Sequence, residues 1–350
     1  EGTRTWTYTP VGDFNGSVGL SYEVSDGEFT APVNTSITVT PVDDILTGNA
    51  IDGYIEGATV FADADGDGVL DEGEAFAVTG DDGAYSLTNA EGRLVLLGGD
   101  GAIDAATGLT FRGQLEAPAG SSVVTPLTTI ISKLVESGSA ADAASAQVMV
   151  KTALGSASAE DLLTFDPIEA ALSGGSSASD GLEIAKAGVV LQNLAIQAGS
   201  AVRGASDADT GTDGSLSWGE ATSSVFETIA TKISSLGNTE LPETVTMFEE
   251  LVNGAAQVAG LSSEAQASLA ASADEVAAVM LSGMETLDTF SADPIAALTE
   301  MAQTASVLQH DSSADIEAAI EAAAGGDAGA TEEKSEFDVV LNAAGGSKLA

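Results

Sequence analysis

Apolar and polar residues alternate through the first part of the chain: Trp6 and Tyr8, then Val18, Leu20, Tyr22 and Val24, then Ile37 and Val39. A period of two turns one side of a strand toward a core, so this stretch predicts about three strands, separated by VGDFNGS and SDGEFTAP. Three strands with an open edge are marginal alone, which places the missing strands upstream or in a neighbouring chain. From Ile45 to about Pro118 the pattern stays β, in short runs between Gly-rich turns. At Ser121 the period changes. In TPLTTIISKLVESG, Thr125 is the expected N-cap, Pro126 the first helical residue, and Gly138 follows the end. Helical patterns then run over 140–154, 159–172, 179–203, 218–236, 242–260, 263–288, 293–308 and 313–324. Ile184, Ala187, Leu191, Leu194 and Ala198 alternate spacings of three and four, which draws one apolar stripe down a helix. The second half therefore reads as a helical bundle. Its abundant alanine lets helices approach closely, while each buries little area. Asp166-Pro167-Ile168 and Asp293-Pro294-Ile295 open two helices the same way, by N-cap and proline chemistry or as the trace of a duplicated unit.

Composition narrows the partners. Against 54 Asp and Glu stand 10 Lys and Arg, a formal charge of -44 spread along the whole chain. Such a surface repels nucleic acid and anionic lipid, needs counter-ions, and suits a saline setting that screens it. Bound divalent cations would relieve the repulsion wherever carboxylates cluster. With 350 residues and 44% apolar content the chain is long enough for two or three domains with real cores. It has no cysteine, so any stapling has to come from metal. No apolar run reaches the roughly 18 residues of a membrane span. The N-terminus lacks the basic-then-apolar layout of a signal peptide, so the expectation is a secretion signal elsewhere or a fragment of a longer protein.

The strongest candidate chemistry is DADGDGVLDEGE, Asp63 to Glu74. Carboxylates fall at positions one, three, five, nine and twelve (Asp63, Asp65, Asp67, Asp71, Glu74), with Gly68 at six and the Val69 carbonyl at seven. That is the ligand register of a twelve-residue calcium loop, whose hard cation takes six to eight oxygens. The plainer alternative is a solvated acidic turn between strands. A second loop, DADTGTDGSLSWGE, lies between predicted helices. Asp209, Asp213, Gly214, Ser217 and Glu220 take positions one, five, six, nine and twelve, with the Ser215 carbonyl at seven. Gly211 leaves position three without a side chain, and Asp207 or water is the expected substitute. Helical flanks suit an EF-hand-like loop; the alternative is an acidic loop that caps the next helix. Asp81 and Asp82 before Gly83 read as turn residues, and Asp100 and Asp104 in GGDGAIDAATG as a polar turn.

Three resemblances follow. WTYTPVGDFNG, LSYEVSDGEF and ITVTPVDD resemble, in order, the C-terminal half of the cadherin-like tandem repeats of large bacterial adhesins. That resemblance implies a bead in an extracellular string whose links calcium rigidifies, with Asp43 and Asp44 where linker ligands would be. GATVFAD leading into the first loop, with the TGDDGAYSL hairpin, resembles the prealbumin-like sandwiches of bacterial surface proteins, including serine-aspartate B-type repeats and carboxypeptidase regulatory-like domains. Residues 331–350 are similar to the start of the C-terminal domain of the bacterial ribosomal stalk protein, but stop before its basic helix, so no ribosomal role is carried over. The expected architecture is multidomain β plus α. It comprises a partial cadherin-like β-domain (1–44), a small β-sandwich with a calcium loop (45–118), an α-helical bundle with an EF-hand-like loop (119–325), and a linker and tail (326–350).

Catalysis is poorly supported. His310, the only histidine, sits near a helix end where a solvated or capping role is commoner than catalysis, and with no cysteine the Ser-His-Asp and Cys-His constellations have little support. Phosphate-cradling glycine loops are absent. The expected role is a non-enzymatic, calcium-stabilised structural segment of a secreted bacterial surface protein, in adhesion or scaffolding, whose surface ligand the sequence does not name. Its expected partners are calcium, neighbouring modules and other copies of itself. One alternative is a self-assembling extracellular filament or surface-layer subunit completed by strand donation. Another is a non-catalytic part of a secreted enzyme such as a glycoside hydrolase.

Overall fold

The computed structural model describes residues 7–11, 14–40, 43–156, 158–208, 216–236, 244–287, 290–291 and 293–324. The chain divides into two compact units, Glu1–Ile45 and Leu46–Ala350.

The first unit holds a long antiparallel hairpin, β1 (Gly16–Ser25) and β2 (Thr30–Val39), in register from Gly16 opposite Val39 to Ser25 opposite Thr30. Asp26 makes the turn: its Oδ1 accepts from the Glu28 and Phe29 amides at 3.0 and 2.8 Å. Those bonds hold its carboxyl below the usual range, the Phe29 amide contributing most. Val18, Leu20, Tyr22 and Val24 lie opposite Ile37, Thr35, Val33 and Ala31, which gathers the apolar residues into one row. Tyr22, Val24 and Ile37 of that row are exposed. Two points differ from the sequence reading. Tyr8 lies in no strand, so the described residues of this unit contain two strands rather than three. The segment TAP, expected in a turn, belongs to β2, because Pro32 sits on a strand with an open edge where its missing N–H interrupts no ladder.

The second unit begins in β3 (Ile45–Ala50). It continues through β4 (Ile55–Glu56), β5 (Thr59–Asp63), β6 (Phe76–Val78), β7 (Ala84–Thr88), β8 (Arg93–Leu97), β9 (Ile103–Asp104), β10 (Gln114–Ala117) and β11 (Val123–Val124). The strands form a four-stranded sheet in the order β10-β8-β5-β6, a three-stranded sheet β11-β3-β7 and a ribbon β4-β9. Leu94 and Leu96 of β8, Val60 and Ala62 of β5, Leu115 of β10 and Leu87 of β7 join one buried cluster. The acidic segment 64–75 is the connection between the antiparallel neighbours β5 and β6.

Among the described residues ten helices follow: α1 (Pro126–Glu136), α2 (Ala143–Ala153), α3 (Pro167–Ser173), α4 (Ala178–Asp207), α5 (Trp218–Leu236), α6 (Val245–Val258), α7 (Ser263–Ala271), α8 (Ala273–Leu287), α9 (Pro294–Val307) and α10 (Ser313–Ala324). Thr125 caps α1 as expected, in a reciprocal capping box with Thr128. The core does not break at residue 118: Leu127, Ile130, Ile131 and Leu134 of α1 share one cluster with the sheet leucines and with the helices beyond. α4 is the axis of the helical part. The single stripe expected for it describes only its first turns, because from Val190 to Val202 it is buried all round, as a helix enclosed by others must be. Small residues make that enclosure possible: a Cβ on Gly204 would overlap the Glu317 carbonyl of α10.

The helix expected over 159–172 starts only at Pro167, since the residue before a proline is driven out of the α region, and Asp166 instead caps the helix from an extended conformation. The helix expected over 263–288 is two, parted at Ser272, whose backbone leaves helical geometry. Between α9 and α10, Leu308–Ser312 forms a π-helical turn that carries His310, which is exposed. The ribosomal-like tail, 331–350, lies outside the described residues.

Candidate metal site

Asp63 ends β5, a strand whose Val60, Phe61 and Ala62 are all buried, and it is itself only 2% exposed. Beyond it the chain turns through Gly66 and Gly68, both at positive φ. Those turns fold the loop back on its first carboxylate: Asp63 Oδ1 accepts from the Gly66 amide at 2.8 Å and Oδ2 from the Gly68 amide at 3.0 Å. Asp65 accepts from Asp67 N at 3.3 Å, and Asp67 from Val69 N at 2.8 Å. One carboxylate oxygen from each of Asp63, Asp65 and Asp67 lies within 4.8 Å of the others. Glu74 closes the loop, its Oε1 accepting from Ala64 N at 2.8 Å and its Oε2 from Asp71 N at 3.0 Å. Crowding of like charge is felt at Asp71, whose carboxyl is pushed up by Asp67 first, then by slight desolvation and by Asp65, Glu74 and Asp63.

Of the predicted ligands, Asp63, Asp65 and Asp67 thus converge, and Asp71 and Glu74 are tied to the same loop by backbone bonds. Val69 is held through its amide, with its side chain 58% exposed. The converging donor set fits a hard divalent cation: it is all carboxylate oxygen, and each ionised carboxylate offers about four lone pairs.

Sequence reasoning missed what lies beneath the loop. Arg93 on β8 is the cross-strand partner of Asp63. Its guanidinium meets Asp63 Oδ2 at 2.7 Å, the Gly66 carbonyl at 3.3 Å and Glu116 Oε2 at 3.2 Å, and it also pairs with Glu136. Lys133 of α1 pairs with Glu116 as well, and with Glu136 at 3.5 Å. The side chains of Asp63 and Glu116 are fully buried, so the first carboxylate of the loop belongs to a desolvated ion network that reaches from β5 through β8 and β10 to α1. The usable signal was scarcity: in a chain with 10 basic residues, each one is a prospective partner for a buried acid.

Of the second predicted loop, Asp209, Asp213 and Ser215 lie outside the described residues. Ser217 and Glu220 are described, and they form a reciprocal cap at the start of α5. The Ser217 amide and hydroxyl donate to Glu220 Oε2 at 2.8 and 2.7 Å, and the Glu220 amide donates to Ser217 Oγ at 3.2 Å. Beside them, Arg112 and Arg203 both stack on the Trp218 ring, 5.3 and 4.7 Å from its centroid.

A family model described as a cadherin-like domain matches residues 1–40. The match covers the hairpin unit and ends before the acidic loop. No curated protein and no solved structure matches the chain.

Asp104 departs from the sequence reading. It is buried, 3% exposed, and accepts from the Ala106 amide at 2.9 Å and the Thr107 hydroxyl at 2.7 Å, so it belongs to an interior turn and not to a solvated one. Asp43 and Asp44 lie outside any strand or helix, between β2 and β3.

Proposed function

We propose that this chain is a calcium-stabilised, non-catalytic structural segment of a secreted bacterial cell-surface protein, acting in adhesion or surface scaffolding. The observation that carries the reading is the Asp63–Glu74 loop, in which three carboxylates converge at the end of a buried strand. The cadherin-like match over residues 1–40 supports an extracellular, adhesive setting. Asp63, Asp65 and Asp67 would hold the ion, with Asp71, Glu74 and the Val69 carbonyl completing its shell. Bound calcium would neutralise the crowded carboxylates and couple metal binding to folding, so the module would be firmest outside the cell, where calcium is plentiful. At the second loop, Ser217 and Glu220 would join Asp209, Asp213 and Ser215 as a further site.

The filament alternative is favoured by one observation, the exposed apolar row of the β1–β2 hairpin, whose strands also have open edges. Strand donation from another copy would cover both. Thermal unfolding and light scattering during a calcium titration test the two readings together. Calcium should raise the melting temperature and Asp67→Ala should remove most of that rise. Glu220→Ala should lower stability even in chelator, by about 1 kcal/mol, through loss of its helix cap; only a further loss of the calcium-dependent rise would mark the second loop as a metal site. Scattering that grows with calcium would favour the filament. No response to calcium would overturn the central reading.

A further inference from the structure

The two Asp-Pro-Ile segments converge on one place. Ile168 of α3 and Ile295 of α9 both line a cavity of about 700 Å³, together with Ala185 and Val189 of α4 and Leu298 and Met301 of α9. Its volume falls in the range of small-molecule sites, roughly 300–1,000 Å³. At its mouth Leu172 and Ile295 are 52% and 66% exposed, an apolar rim with nothing over it among the described residues. The β part of the unit closes the other end, with Asp52, Gly53, Tyr54 and the turn from Asp104 to Thr107.

The charged groups among the described residues at that end are of one sign. Asp52 and Asp104 bring two carboxyls to the cavity, and none of the lining residues is Lys, Arg or His. The Tyr54 hydroxyl is engaged elsewhere, donating to Asp166 Oδ2 at 2.9 Å. Burial is the main cause that pushes both carboxyls up, and for Asp52 the charge of Asp104 adds to it, against a hydrogen bond from Gln309. Each carboxyl is thus costly to ionise without a positive partner, and the described residues that line the cavity supply none.

We infer that this cavity binds a small organic cation, a primary ammonium on an apolar body, with the body among Ile168, Val189, Ile295 and Met301 and the ammonium between Asp52 and Asp104. An anionic or zwitterionic ligand would set its carboxylate against two like charges. A purely apolar one would leave both carboxyls, which have only neutral hydrogen-bond donors, without a cation.

The test is calorimetric titration of the whole chain at moderate salt, which screens loose attraction of cations to the acidic surface. Four probes are compared: 3-phenylpropylammonium, the neutral 3-phenylpropanol, the anionic 3-phenylpropanoate, and ethylammonium, which has the charge without the body. The expected result is saturable one-to-one binding of phenylpropylammonium, with each of the other three weaker by roughly tenfold or more. Asp52→Asn should weaken the ammonium probe by a similar factor and leave phenylpropanol unchanged. Ala302→Trp, a bulky substitution on the α9 wall of the cavity, should abolish binding. If the variant chain fails to fold, ammonium-induced shifts of the Ile168, Ile295 and Met301 methyl signals in the parent protein replace it. The inference is overturned if phenylpropanol binds as well as the ammonium, if ethylammonium matches it, if Asp52→Asn changes nothing, if no probe saturates, or if the protein associates through this face and the probes do not compete.

Discussion

Replacing Arg93 by Met keeps the bulk of a side chain that is 15% exposed while removing the cation that two fully buried carboxylates share. At 2.7 Å from Asp63, the guanidinium attracts that carboxylate by ~6 kcal/mol at an effective dielectric constant near 20. Desolvation of both groups offsets part of this, and the measured cost of breaking a buried pair by deleting one partner is ~3–5 kcal/mol. The lower end is expected here, because Lys133 remains beside Glu116 and Glu136 is 34% exposed and can turn to solvent. For a unit of about 300 residues, ~3 kcal/mol corresponds to a fall of roughly 5 °C in the melting temperature. The informative comparison is between chelator and saturating calcium. An ion held by Asp63, Asp65 and Asp67 gives Asp63 a second positive partner, so the cost of Arg93→Met should be smaller with calcium than with chelator. Urea unfolding followed by circular dichroism, run in both conditions on the parent, Arg93→Met, Asp63→Asn and the double variant, measures it as a double-mutant cycle. A cost below ~1 kcal/mol in chelator would refute the network as a structural element, and an identical cost in the two conditions would refute the sharing of Asp63 between arginine and ion.

Three other outcomes are expected. Gly92→Ala should destabilise by ~3 kcal/mol or more in chemical denaturation, because Gly92 sits at φ +92° and its new methyl would overlap the Asp63 carbonyl at the root of the acidic loop. Tyr54→Phe should cost ~1–2 kcal/mol in the same assay, since it strips a hydrogen bond from the Asp166 carboxylate that caps α3. For Asp52 the sign follows from a carboxyl that burial, Asp104 and the fold hold above its unfolded value of 3.8: the stability it contributes is fully present below that pH and is lost as pH rises through the folded value. Asp52→Asn should therefore match the parent in melting temperature near pH 3.5 and exceed it increasingly toward neutrality. A constant gap across that range would contradict the assignment; Asp104, and the Asp166, Glu169 and Asp82 carboxylates that act on Tyr54, are charged groups facing this corner.

The parts of the fold that were legible are those decided within a few residues. Helix α5 begins at Trp218 and ends at Leu236, where its periodicity places it, and Thr125, Asp166 and Asp293 cap their helices because the capping bond spans two or three positions. The acidic loop was legible for the same reason: its convergence follows from glycines and carboxylates spaced within twelve residues. What failed was decided at a distance. Whether Pro32 lies in a turn or a strand depends on β1 across the hairpin. Whether α4 shows a stripe or is enclosed depends on eight other helices packing around it. Asp104 looks like any polar turn residue until the folded chain sets it beside Asp52 at the back of a cavity. Arg93, Glu116 and Lys133 are separated by 23 and 17 residues, and neither spacing carries a local signal.

The scarcity of positive charge makes the acidic loop more than a surface ornament. Two of the chain's 10 basic residues, Arg93 and Lys133, are committed to one buried network, and that network begins at Asp63. Around them stand Glu116, Glu136 and the carboxylates of the loop itself, Asp63, Asp65, Asp67, Asp71, Glu72 and Glu74. Two cations against eight carboxylates leave a local deficit of positive charge. Bulk salt screens only the exposed members, because screening weakens as groups are buried. A divalent ion at the loop would act on both the exposed and the buried members. Through Arg93 and Glu116 it would also act on α1, whose Lys133 and Glu136 complete the network and whose apolar face is continuous with the core of both halves. An ion bound at a loop between two strands would in this way set the stability of the helical part as well. Chelation should then lower protection from hydrogen exchange in α1 as well as in β5 and β6, and protection lost from the loop alone would show that the two halves are electrostatically independent.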